Sequence, residues 1–437
     1  MSDVVDLTRE LVALNTVNPD LEPGAPGERP AVEHLAARLA RNGFAIEIVG
    51  PRARPSLLAT HRGTAADAPS LALNGHLDTV PAGGMRDAFT PRLEGDRLYG
   101  RGTCDMKAGV AALVVAAEHA ARAGTRGDIV LALVADEEHG SLGTTAALAR
   151  LTALAEAGAG GEAAGGVGRT GGAGLAGSEE AGGAAGAGDA GASDGGAGRA
   201  SAGGAGAGGD GPPARGGRRL PAACIVAEPT WLELASAHRG FAVVEVEVRG
   251  RAAHSSRPQD GVNAVTHLAR VLAGVEARDA QLRDAAPHPL AGHPSFMATV
   301  VSGGTAPFVL PDHARATIER RTVPGEPADA GKRDVEAILD AHPDIDATVT
   351  QTMAREAWQL DDEHPAVRHI VELLGAPART GFPYWMESAL WENAGIPAVV
   401  CGPAGGGLHT DVEWVEVPQL EAYTETLKTL IPEFTSR

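Results

Sequence analysis

The sequence has 437 residues, 43% of them apolar, and a formal net charge of −19 from 37 basic and 56 acidic side chains. Its basic residues are nearly all Arg and scattered along the chain, so the positive stripe that a phosphate backbone or an anionic membrane requires is missing, which argues against both as partners. The N-terminus has no basic segment leading into an apolar one, nowhere do about 18 apolar residues run together, and Cys104, Cys224 and Cys401 form no CxxC pair, so a cytoplasmic protein without a disulfide framework or a cysteine zinc site is expected.

In chain order, apolar residues at helical spacing predict helices over 4–14 and 29–42, the second with Pro30 near its start, and residues 44–49 alternate as a strand. Apolar runs at 57–60 and 71–73, a helix over 108–123 and a run of branched residues at 129–135 follow. Such alternation points to an α/β domain with a largely parallel sheet. Residues 156–217 break the pattern with 26 Gly and 18 Ala among 62 residues and no aromatic side chain. Glycine brings no apolar side chain to a core and loses the most backbone entropy on ordering, so a flexible tract is expected here. A buried strand at 222–227 resumes the α/β alternation, which makes the tract an insertion within one domain.

From about residue 237 the pattern changes to long alternating strands. A strand over 241–248, a helix over 261–277, strands at 297–301 and 314–320 and a helix near 332–342 fit a β-α-β-β-α-β order, the pattern of a ferredoxin-like α+β domain. After roughly residue 353 a helix over 365–374, a strand at 398–401 and a closing helix over 420–430 return to the α/β alternation of the N-terminal half. Residues 1–236 and 353–437 are therefore read as one α/β domain and 237–352 as a smaller domain inserted into it.

Carboxylates and histidines stand just after several of the predicted strands, where α/β sheets place their sites. In Asn74-Gly75-His76-Leu77-Asp78, residues two apart share a face of an extended segment, so Asp78 can accept a hydrogen bond from one imidazole nitrogen of His76 while the other binds a metal; a structural histidine is the alternative. Asp105, in Gly102-Thr103-Cys104-Asp105, precedes a helix and fits both an N-cap and a ligand, and Cys104 reads as a packing residue. Asp136-Glu137-Glu138 closes an apolar strand. Three adjacent acids repel one another, and a cation would compensate them, although a solvated acidic turn has the same pattern. Glu228 follows the strand at 222–227, and His409 lies in Gly407-Leu408-His409-Thr410. Five nitrogen and oxygen donors, His76, Asp105, Glu138, Glu228 and His409, suit zinc, with cobalt or manganese as substitutes, and a bridging carboxylate would let them hold two ions about 3.5 to 4 Å apart.

The motifs HLDTVP, GRGTCDMKAGVAAL, DEEHGSLGT, AEPT, AHSSRPQDGVNAV and HTDVEWV, six in order over nearly the whole chain outside the glycine tract, resemble those of the M20 metallopeptidase family. That group includes acetylornithine deacetylase, succinyl-diaminopimelate desuccinylase, aminoacylase and carboxypeptidase G2. The resemblance implies a zinc-dependent exopeptidase-like catalytic domain with a mixed sheet and a lid or dimerisation domain inserted in it. It implies that Asp105 bridges two Zn2+, that His76 and Glu228 complete one site and Glu138 and His409 the other, that Asp78 orients His76, and that Glu137 is the general base. His254 would stabilise the oxyanion, in dimeric relatives from the partner subunit; without the family it reads as a loop histidine.

Arg321 matches the position that reaches the substrate carboxylate, with a surface arginine as the alternative. Gly303, Gly304 and Phe308 fall in the substrate-facing GGTAxNVVP segment, where Phe308 replaces an asparagine, and Glu387 stands where many relatives have Asp. The implied activity is deacylation of an N-acyl amino acid, most like acetylornithine deacetylase. A desuccinylase or aminoacylase comes next, then a carboxypeptidase or dipeptidase. An inactive homologue that binds amino-acid derivatives would be expected to lack a ligand or the base, and neither is missing.

The glycine tract falls between two ligands, Glu138 and Glu228, that must meet in space. Loop-closure entropy grows only logarithmically with length, so an insertion there is tolerated. Deleting residues 160–211 should leave metal content and hydrolytic activity intact, and loss of both on metal analysis and assay would show the tract to be more than a spacer.

Overall fold

The computed structural model describes residues 2–163 and 219–437. Most of the glycine tract, with the expectation attached to it, lies outside the described residues; the helix Leu142–Ala163, which the sequence did not signal, carries the chain into its first residues.

The larger sheet runs, in spatial order, Ala45–Val49, Ser56–His61, Ile129–Val134, Leu71–His76, Ala223–Val226, Ala398–Val400, Leu234–His238 and Trp358–Gln359, with Arg379–Phe382 also pairing Leu234–His238. Its centre is parallel: Leu71–His76 pairs that way with both Ile129–Val134 and Ala223–Val226, which pairs in turn with Ala398–Val400. These strands are buried along their whole length, as uninterrupted runs of branched and small apolar residues demand when both faces are covered. Towards the edges most pairing turns antiparallel, for Ala45–Val49 with Ser56–His61 because their short connection permits only a hairpin, while Arg379–Phe382 pairs parallel with Leu234–His238. The sheet is therefore mixed, parallel through its centre and again at Arg379–Phe382.

The helix Ala108–Ala123 is apolar nearly all round and packs between Asp3–Ala13 and Val417–Thr435 in the main core. The two strands that flank Leu71–His76, Ile129–Val134 and Ala223–Val226, lie on either side of the glycine tract in sequence.

The smaller sheet has the order Ser295–Gly303, His313–Thr322, Gly240–Arg249 and Asp346–Arg355, antiparallel throughout, with helices Ala264–Asp284 and Ala330–Asp340. Chain order is β-α-β-β-α-β. Along Gly240–Arg249 buried and half-buried residues alternate, and Val244, Val246 and Val248 point to the helices and a core of their own. The change of sheet comes at 239 and at 356–357, so the expected limits at 236/237 and 352/353 each fall inside a strand. The two crossings run side by side in close contact: a Cβ on Gly240 would lie 2.4 Å from both the nitrogen of Ala357 and the carbonyl oxygen of Arg355.

A third sheet gave no sequence signal because its strands are two or three residues long. It pairs Gly405–Gly406 with Trp414–Glu416, that with Arg97–Tyr99, and Arg97–Tyr99 in turn with Arg92–Glu94, bringing the loop of His409 against the segment of Asp105. No helix among the described residues is long and apolar enough to cross a membrane.

Candidate metal centre

His76 ends the central strand Leu71–His76 and is fully buried. The helix Ala108–Ala123 begins just after Asp105, and at Gly109 a Cβ would stand 2.3 Å from the carbonyl oxygen of Ala227, so glycine there lets the helix approach the strand end that carries Glu228. Asp105 does not cap this helix; Lys107 occupies that position. Instead its carboxylate spans two histidines, with Oδ1 3.0 Å from His76 Nε2 and Oδ2 3.3 Å from His409 Nε2. His76 Nε2 lies 3.9 Å from Glu228 Oε1, and His409 Nε2 lies 3.0 Å from Glu138 Oε2. Potential ligand atoms of His76, Asp105 and Glu138, and of His76, Glu137 and Glu228, form two groups with all separations within 4.8 Å. The cluster opens to solvent on one side: the side chain of His409 is 53% exposed, those of Asp105 and Glu138 13% and 4%.

Asp78 works differently from the expected imidazole contact. His76 Nδ1 lies 3.0 Å from the backbone carbonyl of Asp78 and 3.6 Å from its carboxylate. The carboxylate accepts from Asn18 Nδ2 (2.9 Å) and from the backbone N–H groups of Glu137 (3.1 Å) and Glu138 (3.2 Å). Asp78 thus fixes both the ring and the acidic turn. Within that turn Asp136, at φ +70°, faces inward and is answered by Arg54 at 3.0 Å, which also holds the buried Glu28 at 2.6 Å. Neither Arg54 nor Glu28 carried a sequence signal, since each is one charge among many.

Glu413, in the late motif but given no role there, is a second such residue. It is buried, and its oxygens accept from the backbone of Gly102 (2.9 Å), Cys104 (2.8 Å) and Asp105 (3.1 Å) and from Arg101 (2.8 Å), whose guanidinium also donates to Thr410 O at 2.9 Å. One acid therefore ties the Asp105 segment to the His409 loop. Cys104 is buried and its thiol is pushed up by burial, as suits a packing residue. Glu387 is 1% exposed, behind the cluster rather than on a substrate-facing wall, and burial raises it to about 7.

The other expected residues separate. Arg321 lies at the end of the smaller sheet next to the crossings, while its neighbour Arg320 is buried and paired with Asp334 and Glu326. His254, Gly303, Gly304 and Phe308 lie at the opposite end: Ala253–His254 pairs with Val309–Leu310, and Gly303 pairs with Ala314 where Ser295 pairs with Arg321. That is a strand length, roughly 25 Å, away. The side chain of His254 is exposed and bonds only Ser256 among the described residues.

Burial lifts Glu137 well above the carboxylate range; the His76 charge opposes this, and Glu228, Glu138 and Glu387 add to it. Burial also brings Glu228 to about 8 and Glu138 to about 7, whereas hydrogen bonds to Asp105 and Glu138 raise His409 to about 10. One oxygen of Glu138, Oε1, is buried without a partner among the described residues. An excess of carboxylates over imidazoles, proton-sharing acids and an orphaned oxygen fit a pair of divalent cations.

A mixed sheet with this donor set at its strand ends defines the class as a metal-dependent hydrolase. The chain belongs to peptidase family M20/M25/M40, whose family model matches residues 72–433. It is 27% identical to an acetylornithine deacetylase of Myxococcus xanthus over 441 aligned residues, 96% of this chain and 95% of that protein. It is 41% identical to a succinyl-diaminopimelate desuccinylase of Stenotrophomonas maltophilia (strain R551-3) over 159 residues, which spans 35% of this chain and only 40% of that relative. Among solved structures, an M20 family metallo-carboxypeptidase of Sulfolobus solfataricus superposes with a TM-score of 0.68 at 13% identity, covering 100% of both chains. A dinuclear metal-binding M20 peptidase of Bacillus subtilis superposes at 0.62 and 13% identity, covering 99% of this chain and 97% of that one. At such identities the likeness is one of fold.

Because Glu138 and Glu228 hold protons near neutrality in the metal-free protein, cations must displace them. Protons compete more strongly as pH falls, so metal affinity should weaken in that direction and binding near pH 7 should release protons. Calorimetric titration of metal-free protein with Zn2+ in two buffers of different ionisation enthalpy reads this directly, and identical heats in both would count against it.

Proposed function

We propose that the chain is a two-zinc deacylase that hydrolyses the amide of an N-acyl amino acid, most like acetylornithine deacetylase. The observation that carries the reading is the carboxylate of Asp105 held between His76 and His409, with Glu137 grouped with His76 and Glu228. The Myxococcus xanthus relative, aligned over nearly both whole chains, supports the acetylornithine assignment. The higher identity to desuccinylases over a third of the chain supports succinyl-diaminopimelate desuccinylase as the second reading.

His76, Glu228, Asp105, Glu138 and His409 would hold the two ions, with Asp105 common to both. When bound, zinc supplies Lewis-acid polarisation of the amide carbonyl and of a water. The chain's own groups do the rest. Glu137, in the acidic turn beside His76 and Glu228, would take a proton from the attacking water and deliver it to the leaving amine nitrogen. Asp78 keeps Glu137 and Glu138 in place through their backbone N–H groups. His254, Gly303, Gly304 and Phe308 serve the site of a second copy. In support, Phe308 is 74% exposed, and the edge strand Ser295–Gly303 leaves Met297, Val300 and Val301 in solvent.

Glu137→Gln should retain both metal equivalents and lose about 10² to 10⁴ in kcat; near-wild-type turnover in that variant would remove the base assignment. Ranking acetylornithine, succinyl-diaminopimelate, other N-acyl amino acids and dipeptides by kcat/KM should put the acylated amino acids first. A clear preference for dipeptides would overturn the deacylase order.

A further inference from the structure

The expected metal ligands are anchored in two different ways. His76 ends a central strand and Glu228 follows the next, so both ride on the parallel core of the larger sheet. His409 lacks such support. It stands at φ +59° in a loop bounded by the very short strands Gly405–Gly406 and Trp414–Glu416. Asp105, with extended backbone at φ −117° and ψ 92°, precedes the helix Ala108–Ala123 without belonging to it.

Glu413 joins these two weakly supported pieces. Its Oε1 accepts from the N–H groups of Cys104 and Asp105, and its Oε2 from Gly102 N and Arg101 Nη1. Three backbone donors thus converge on one carboxylate, a concavity of the kind that binds anions, filled here by the protein's own side chain. The Glu413 carbonyl accepts a further bond from Gly100 N at 3.2 Å. Arg101, 2% exposed, carries the tie on to Thr410 O, next to His409. Apart from this, Asp411 gives the loop one exposed bond, from Gly84 N at 3.0 Å. With two bonds accepted at each oxygen, Glu413 has no lone pair left for a cation, so any effect it has on one runs through Asp105 and His409.

We propose that Glu413 is a positioning residue that sets the affinity of one of the two ions, the one expected between Asp105, Glu138 and His409. The ion of His76 and Glu228 depends on it far less. The proposal rests on the two-zinc part of the reading above and is independent of the acyl group. Without the tie, the incoming ion must itself order His409 and the Asp105 segment, and that ordering is subtracted from its binding. His76 and Glu228 are already ordered by the sheet, so only the shared Asp105 passes a loss on to their ion.

The test is calorimetric titration of the metal-free full chain with Zn2+, reading the number of ions and their dissociation constants. Glu413→Gln keeps one acceptor oxygen but turns an amide NH2 on groups that are themselves donors. It should weaken one ion about 10- to 100-fold and the other by less than about 3-fold. His409→Ala identifies the sensitive ion: it should abolish that one, and adding Glu413→Gln to it should shift the remaining ion by less than about 3-fold. Arg101→Lys, which keeps a cation beside Glu413 without the fork that also reaches Thr410 O, should weaken the same ion. Equal losses of both ions in Glu413→Gln, or a large further loss on adding it to His409→Ala, would overturn the proposal. So would failure of both Glu413→Gln and Arg101→Lys to fold, which would make the tie structural. A wild type that binds fewer than two ions removes the two-zinc reading and the proposal with it. Two ions without turnover of any N-acyl amino acid removes the deacylase reading alone, and the calorimetry still decides the role of Glu413.

Discussion

Four carboxylates, those of Asp105, Glu137, Glu138 and Glu228, gather around two histidines at the strand ends of the larger sheet. Burying like charges together is costly unless protons or cations intervene. The rest of the structure is organised around that constraint. The close approach at Gly109 brings the Asp105 segment to Glu228. The third sheet delivers His409 to the other side of Asp105, and the parallel centre of the large sheet ends His76 and the acidic turn side by side.

Acids that hold the site differ from acids that would hold metal in how they are compensated. Asp136 has Arg54 and Asn18, Glu28 has Arg54, Glu413 has Arg101 and three backbone N–H groups, and Asp78 has Asn18 and two. Each is neutralised or saturated by protein alone. Among the described residues, Glu137, Glu138 and Glu228 have no lysine or arginine partner. Their side-chain oxygens face one another and the histidines, so their compensation must come from outside the polypeptide. In the metal-free state it comes from protons, which is why folding of this region and loading with cations draw on the same charge balance.

Much of this was legible in the sequence, for identifiable reasons. Helices such as Ala108–Ala123 and strands such as Gly240–Arg249 declare themselves through periodicity, and both sheets followed from the change between α/β alternation and long alternating strands. That His76, Asp105, Glu138 and Glu228 come together was legible because each follows an apolar strand or precedes a helix within a dense motif, and His409 was legible from the late motif alone. Two kinds of feature were not. Pairings of two or three residues, as at Gly405–Gly406, carry no period to detect. The supporting charges act through contacts distant in sequence: Glu413 reaches Cys104 across 309 residues and Arg355 reaches Gly140 across 215. Asp78 shows the limit from the other side, since its spacing from His76 was visible while its carboxylate turned to the acidic turn instead.

The distribution of the remaining motif residues bears on assembly. Register places Arg321 and Arg355 at one end of the smaller sheet and His254, Gly303, Gly304 and Phe308 at the other, a separation set by strand length that no side-chain rotation closes. A group at the far end can serve the metal cluster of its own chain only if the small sheet swings through most of its length about the crossings at 239 and 356–357. The tight backbone contact at Gly240 joins those crossings as one two-stranded connection, flanked by the pairings of Arg355 with Phe241 and of Trp358 with His238. A second copy offers the shorter route. The edge strand Ser295–Gly303 presents unpaired backbone and exposed branched side chains beside Phe308 and His254, the features by which one sheet edge accepts another. Were two copies to join along that edge, as the proposed role of His254 requires, the metal cluster and the far-end motif serving it would belong to different chains.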